Sequence, residues 1–331
     1  MISRIRQYAV IVGGLILALA LLVGCDSPPK PLPVSLAVSR TPLSTPFYVA
    51  EKLGLFTKHG LEVRTEECIG GHKCLERLLA GAVDIATVSD SPIMFNSFKH
   101  DNFAIVGTFV SSNNDVKLLA RRSAGIAHPR DLAGRTIGTV TGASAQYFLD
   151  TFLISVGVNP EDVKIIHFAP NALPEALKSG QVDAISVWEP FGFIASQQLG
   201  DDLAIFTDPL IYTETFNAVA LRAFATQNSA VVIRVLSALK EAITFINKHP
   251  RDAQQLLADR LKLEDSFITW IWPDFHFALS LDQSTLLTLE HEARWAIRRN
   301  LAPATEHPNY RDYLIETPMM AVSPESVTLI R

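Results

Sequence analysis

The 331-residue sequence has little cysteine and none of the glycine signatures that hold phosphates. Neither a Walker A run nor a dinucleotide fingerprint is present, which argues against nucleotide hydrolysis and hydride transfer. Glu290-His291-Glu292 lacks the spacing by which His-Glu-x-x-His puts two imidazoles on one zinc ion. Gly142-Ala143-Ser144-Ala145-Gln146 has the outline of a nucleophile elbow without its last glycine, and no histidine sits in a recognisable base motif. Catalysis is therefore not expected, and no cofactor or metal is called for. After residue 24 no run is long and uncharged enough to span a bilayer, which takes roughly 20 apolar residues. Basic charge is scarce too. Without residues 1–24 the chain keeps 27 basic residues against 34 acidic ones, a net charge of −7. That balance opposes nucleic acid and anionic lipid surfaces as partners.

The amino end carries an address. Arg4 and Arg6 precede the 15 uncharged residues from Ala9 to Val23, too short for a membrane span and suited to a signal-peptide core. Leu22-Val23-Gly24-Cys25 follows directly and resembles the bacterial lipobox, which implies a signal peptide over 1–24 and lipid on Cys25. Asp26 resembles an inner-membrane retention signal. Residues 25–33 then read as anchor and proline-rich tether. This places the protein on the periplasmic face of the inner membrane, or on the outer face of the cell membrane in a Gram-positive organism. Of the other cysteines, Cys68 and Cys74 flank five residues in a compartment where disulfides persist, so a disulfide is expected. Free thiols are the alternative. So is a metal held with His72, though no fourth ligand is evident nearby.

One device occurs twice. A helix-like run, Gly-x-Val-Asp and a short apolar strand appear at Gly81-Ala82-Val83-Asp84 and again at Gly180-Gln181-Val182-Asp183, with the glycines 99 residues apart. That spacing suits two similar lobes, not a solenoid. Gly fits the C′ position that closes each helix. Ser89-Asp90 and Trp188-Glu189 stand at the ends of the strands, and ligands of open α/β sheets bind beyond the carboxyl ends. The expected fold class is α/β, with two lobes of mainly parallel sheet, a ligand cleft at the hinge and a helical C-terminal part. The first lobe is assigned to 33–119 plus 216–331 and the second to 120–215. Two crossings between them permit a hinge.

Ser44-Thr45-Pro46-Phe47-Tyr48-Val49-Ala50-Glu51-Lys52-Leu53-Gly54-Leu55-Phe56, followed by Gly60-Leu61-Glu62-Val63, resembles the opening of nitrate/sulfonate/taurine-type solute-binding proteins of ABC importers. Leu132 to Gly138 and Val182 through Trp188-Glu189-Pro190-Phe191 are similar to signatures of that group's second lobe, and Ala321 to Ile330 to its C-terminus. The group also includes binders of thiamine-pyrimidine precursors. The resemblance implies a type II periplasmic-binding fold, capture of a small molecule, and delivery to a permease driven by an ATPase. An enzyme in the wider group carries a cysteine-rich motif that this chain lacks.

Ligand-facing candidates follow from the strand ends. Thr139, Gly142, Ala143, Ser144 and Ala145 form a glycine turn into a helix, whose free N–H groups and dipole favour an anionic oxygen; the plain alternative is an ordinary N-cap. Arg40, Thr41 and Ser44 face the same cleft from the other lobe, Arg40 as a partner for a sulfonate, nitrate or carboxylate, or else as a solvated surface residue. Ser89 and Asp90 add a hydroxyl and a carboxylate, while Ser91 reads either as a ligand contact or as a helix cap. Trp188 offers an aromatic wall, and Glu189 a second carboxylate that suits an amine or aminopyrimidine better than an anion. Phe267, Trp270, Trp272, Phe275 and Phe277 are expected to pack a helix on the core. The leading ligand is a small organic anion bound by a monomer, with an aminopyrimidine or amine as runner-up and a sensor lipoprotein as another role.

Overall fold

The computed structural model describes residues 30–330, so the signal peptide, Cys25 and most of the tether lie outside it. The chain first lays down β1 (Leu32–Ser39), β2 (Leu61–Cys68), β3 (Ile85–Ser89) and β4 (Phe103–Ser112). It then crosses to a second sheet of β5 (Val116–Arg121), β6 (Thr136–Thr139), β7 (Lys164–His167), β8 (Ala184–Trp188) and β9 (Leu203–Phe206). It returns with β10 (Glu214–Leu221) and, after a run of helices, adds β11 (Phe275–His276). Strand order is β11-β4-β10-β3-β1-β2 in one sheet and β7-β6-β8-β5-β9 in the other.

Both sheets are mixed, where mainly parallel ones were expected. β1 runs parallel to β2 and β3, and β6 parallel to β7 and β8. β10 runs against β3 and β4, and β5 against β8 and β9. The reason is the path of the chain. Most strands end at the cleft, but a strand that enters its lobe from the cleft must start there and run the other way. β5 and β10 are those entering strands. Pairing also moves the expected lobe boundaries: all of β5 lies in the second sheet and β10 begins at Glu214, so the crossings fall at residues 113–115 and 207–213.

The repeated device appears at equivalent places. Gly81 (φ 70°) follows the helix Gly71–Leu79, and Gly180 (φ 78°) follows the helix Leu173–Lys178, each in the left-handed conformation that ends a helix at low cost. The aspartates have a role that spacing alone does not reveal. Asp84 Oδ2 accepts hydrogen bonds from the Ser35 amide (2.7 Å) and hydroxyl (2.6 Å) on β1. Asp183 Oδ2 accepts from the Thr136 amide (2.9 Å) on β6. Each aspartate thus pins its own strand to the start of the next parallel one. Cys68 and Cys74 are joined as a disulfide across the turn from β2 into the helix Gly71–Leu79, with Cα atoms 5.5 Å apart.

The first-lobe core is built around Phe47, Phe109 and Phe216, stacked edge to face with centroids 5.0 and 5.9 Å apart. The long helix Ser229–Lys248 covers it with Val232, Val235, Leu236, Leu239, Ile243 and Ile246, an apolar stripe at helical spacing. No described helix is long and apolar enough to cross a membrane. Asp84→Ala should lower unfolding stability by about 1–3 kcal/mol, because the Ser35 amide loses its acceptor inside the sheet. Urea denaturation of the two proteins measures that loss, and Asp84→Asn, which keeps an acceptor, should lose less.

Candidate functional site

The carboxyl ends of β1 and β3 form the first-lobe side of the cleft. Arg40 is exposed there and Thr41 half-buried. The Arg40 amide donates to the Cys68 carbonyl (2.8 Å), and its guanidinium makes no ion pair among the described residues. Ser44 precedes the helix Thr45–Lys52 but does not cap it; its side chain is fully buried and Oγ has no hydrogen-bond partner. Ser89 is half-buried. Asp90 is fully buried and accepts from the Tyr212 hydroxyl (2.8 Å) and from the amides of Thr215 (2.9 Å) and Ser91 (2.8 Å). Ser91, a candidate cap, instead gives its hydroxyl to Glu292 Oε1 (2.5 Å).

The second lobe meets this floor with the start of the helix Ser144–Ser155. Thr139 is buried and bonds the Ser186 carbonyl (3.3 Å). The Gly142 amide donates to Gln146 Oε1 (2.8 Å), and a side chain at Gly142 would stand 3.7 Å from the Phe95 ring of the first lobe. Ala143 is the N-cap residue, and Ser144 and Ala145 are buried. One turn on, the Tyr147 ring meets Tyr212 and Trp295 edge-on at 5.3 and 5.4 Å. The structure therefore brings residues 142–147 against Phe95, Tyr212 and Trp295.

Trp188 is half-buried with its edge on Phe191 (6.4 Å between centroids). Glu189 differs from expectation: both its oxygens are engaged within the protein. Oε1 meets Lys117 Nζ (2.9 Å) and the Trp270 indole N–H (2.6 Å), and Oε2 accepts from the Phe193 amide (2.8 Å). Three donors of the protein already hold this carboxylate at the lobe junction. Trp270, expected to pack the core, is thus a donor at the lobe junction, while Phe267 and Phe277 are buried.

Spacing did not single out the other acids. Asp115, Glu214 and Glu292 are buried with Asp90 around the crossings. Burial pushes Asp90 up to about 6, against its amide and hydroxyl donors. It pushes Asp115 up to about 7 although Lys117 pulls the other way. Glu214 and Glu292 are driven well above the usual carboxylate range by burial and then by the neighbouring carboxyl groups. The one visible sign was Lys117, a charge inside the apolar run Val116 to Ala120. Among the described residues no cluster suits a metal ion.

A second tie joins the lobes. Asp150, on the helix Ser144–Ser155, receives Arg299 in bidentate fashion (2.6 and 2.7 Å) and the Trp295 indole N–H (2.7 Å). Arg299 also reaches Glu161 (2.9 Å). Trp295 lies on the helix Gln283–Arg298, which packs on the first-lobe helix Asp90–Ser97.

Residues 41–253 match the family model described as NMT1/THI5 like. The chain belongs to that family. A putative aliphatic sulfonates-binding protein of Bacillus subtilis (strain 168) is 25% identical over 229 residues, 68% of this chain and 69% of the relative. The taurine-binding periplasmic protein of Escherichia coli (strain K12) is 25% identical over 176 residues, 53% of each. Among solved structures, the periplasmic aliphatic sulphonate binding protein SsuA of Escherichia coli superposes with a TM-score of 0.76 at 21% identity, covering 86% of this chain and 98% of that one. This NMT1/THI5-like chain thus has the periplasmic-binding-protein fold, and the relatives just described are named as binding proteins.

Two outcomes follow from the site's electrostatics. A carboxyl whose pKa is raised by folding holds its proton longer in the folded chain than in the unfolded one. Raising the pH from about 4 through about 6 and 7 should therefore erode stability, by up to about 1.4 kcal/mol per pH unit for each such group. Thermal melts of the ligand-free protein across that range should show the decline, with a smaller slope for Asp90→Asn. Arg299→Ala should cost about 3 kcal/mol in urea denaturation, since Asp150 then keeps its charge with only the Trp295 donor.

Proposed function

We propose that this chain is the solute-binding lipoprotein of an ABC importer, capturing a small organic anion of the sulfonate, taurine or nitrate class between two closing lobes. Membership of the NMT1/THI5-like family carries the reading, together with relatives named for sulfonate and taurine binding. The lining we assign is Arg40, Thr41, Ser44 and Ser89 from the first lobe, and Thr139, Gly142, Ala143, Ser144, Ala145 and Trp188 from the second. The start of the helix Ser144–Ser155, placed against the first lobe, supplies N–H groups and a favourable dipole for an anionic oxygen. Lipid on Cys25 keeps the monomer on the periplasmic face of the inner membrane, or outside the cell membrane in a Gram-positive, beside the permease and its ATPase.

The buried acids favour one second reading, an aminopyrimidine or amine as ligand. Thermal-shift measurements on the protein lacking residues 1–25 decide between them. A ligand at a hundredfold excess over its Kd stabilises by about 2.7 kcal/mol. Sulfonates, taurine or nitrate should raise the melting temperature. Stabilisation by pyrimidines alone would overturn the anion reading.

A further inference from the structure

The helix Gln283–Arg298 is fixed to the first lobe along its first half. Ser280, just before it, exchanges backbone hydrogen bonds with Thr108 of β4 (2.7 and 2.9 Å). Further along, Glu292 accepts the Ser91 hydroxyl (2.5 Å), and Trp295 lies edge-on to Phe95 with centroids 6.4 Å apart. The end of the helix serves the other lobe. Trp295 also meets Tyr147 (5.4 Å) and donates its indole N–H to Asp150 (2.7 Å). Arg299, the first residue past the helix, grips both oxygens of Asp150 (2.6 and 2.7 Å). Positions 292, 295 and 299 follow helical spacing, so one face reaches from the floor of the first lobe to the second. All three lie beyond the stretch 41–253 that matches the family model.

Asp150 stands about two turns into the helix Ser144–Ser155, whose start is the anion-favouring edge of the cleft. It is only 2% exposed. A carboxylate so buried is tolerable with a guanidinium and an indole N–H on it, and costly with the indole alone. The planar guanidinium fork meets two oxygens at once in one placement of the two lobes, so the pair forms on closure and breaks on opening. Without Arg299 the less costly state is the one in which the lobes part and water reaches Asp150.

We propose that Trp295 and Arg299 are a clasp that sets the share of molecules whose cleft is closed, and so positions the start of the helix Ser144–Ser155 over the solute without touching it. The clasp's effect on affinity rests on the solute-binding function proposed above; its effect on lobe closure does not. The measured Kd is the intrinsic one divided by the closed fraction, so loosening the clasp weakens binding without removing a ligand contact. Opening is also the step by which solute leaves, so the loss belongs mainly in the dissociation rate.

Two readings on the protein lacking residues 1–25 test this, with Arg299→Ala as the variant. Small-angle X-ray scattering without solute should give Arg299→Ala a larger radius of gyration than the unmodified protein. Stopped-flow binding of taurine should show dissociation faster by about tenfold. Arg299→Lys keeps the charge without the fork and should fall between the two on both readings. Asp84→Ala, which weakens the first sheet away from the second lobe, should move neither, so that lost stability alone is told apart from opening. An unchanged radius in Arg299→Ala overturns the clasp, and so does a larger radius with unchanged taurine dissociation. If taurine does not bind the unmodified protein, the anion reading has failed and scattering alone judges the clasp. If Arg299→Ala does not fold, Arg299→Lys carries the comparison, and a radius equal to that of the unmodified protein overturns the proposal.

Discussion

A buried ammonium holds the junction of the two lobes. Lys117, on the first strand to enter the second sheet, sits 2.9 Å from Glu189 and 3.3 Å from Asp274, bonds the Asn114 carbonyl, and lies 5.7 Å from the centre of the Trp270 ring. Those partners come from the end of β8, from the helical C-terminal part and from the crossing itself. One side chain thus fastens three distant stretches of sequence where the chain passes between sheets. A charge removed from water here is tolerable only because each neighbour supplies a lone pair or a π face. Burial holds Asp115 toward its neutral form, with Glu189 and Asp274 adding to it against the pull of Lys117.

Much of the fold was legible in the sequence because it depends on local rules. Gly81 and Gly180 close helices where only a positive φ does so cheaply, and strands follow them as the apolar β-branched runs required. Strand direction was less legible. β5 and β10 contain apolar runs like their neighbours, and their reversal is set by where the chain enters each lobe, which no local pattern records. Asp84 and Asp183 likewise read as part of a turn, while their work is to hold Ser35 and Thr136 on the neighbouring strand.

The site divides along the same line. The turn at Gly142–Ser144 was visible from its glycine and from the helix that follows. Glu189 looked free because Lys117 and Trp270, which neutralise and hold it, are far away in sequence. In the sequence Glu292 stands only in an incomplete zinc motif, and its nearness to Asp90 exists only after the C-terminal helix has packed on the first lobe. The cleft that results combines a helix start favouring anions on one side with buried acids on the other. That polarity is a property of the assembled lobes.

The dependence of the junction on Lys117 is tested most directly by a double-mutant cycle in urea, using Lys117→Met, Glu189→Gln and the pair. A coupling of about 2 kcal/mol or more is expected, with Lys117→Met alone the most damaging because it leaves buried acids without their cation. Additive losses, within about 0.5 kcal/mol, would contradict it.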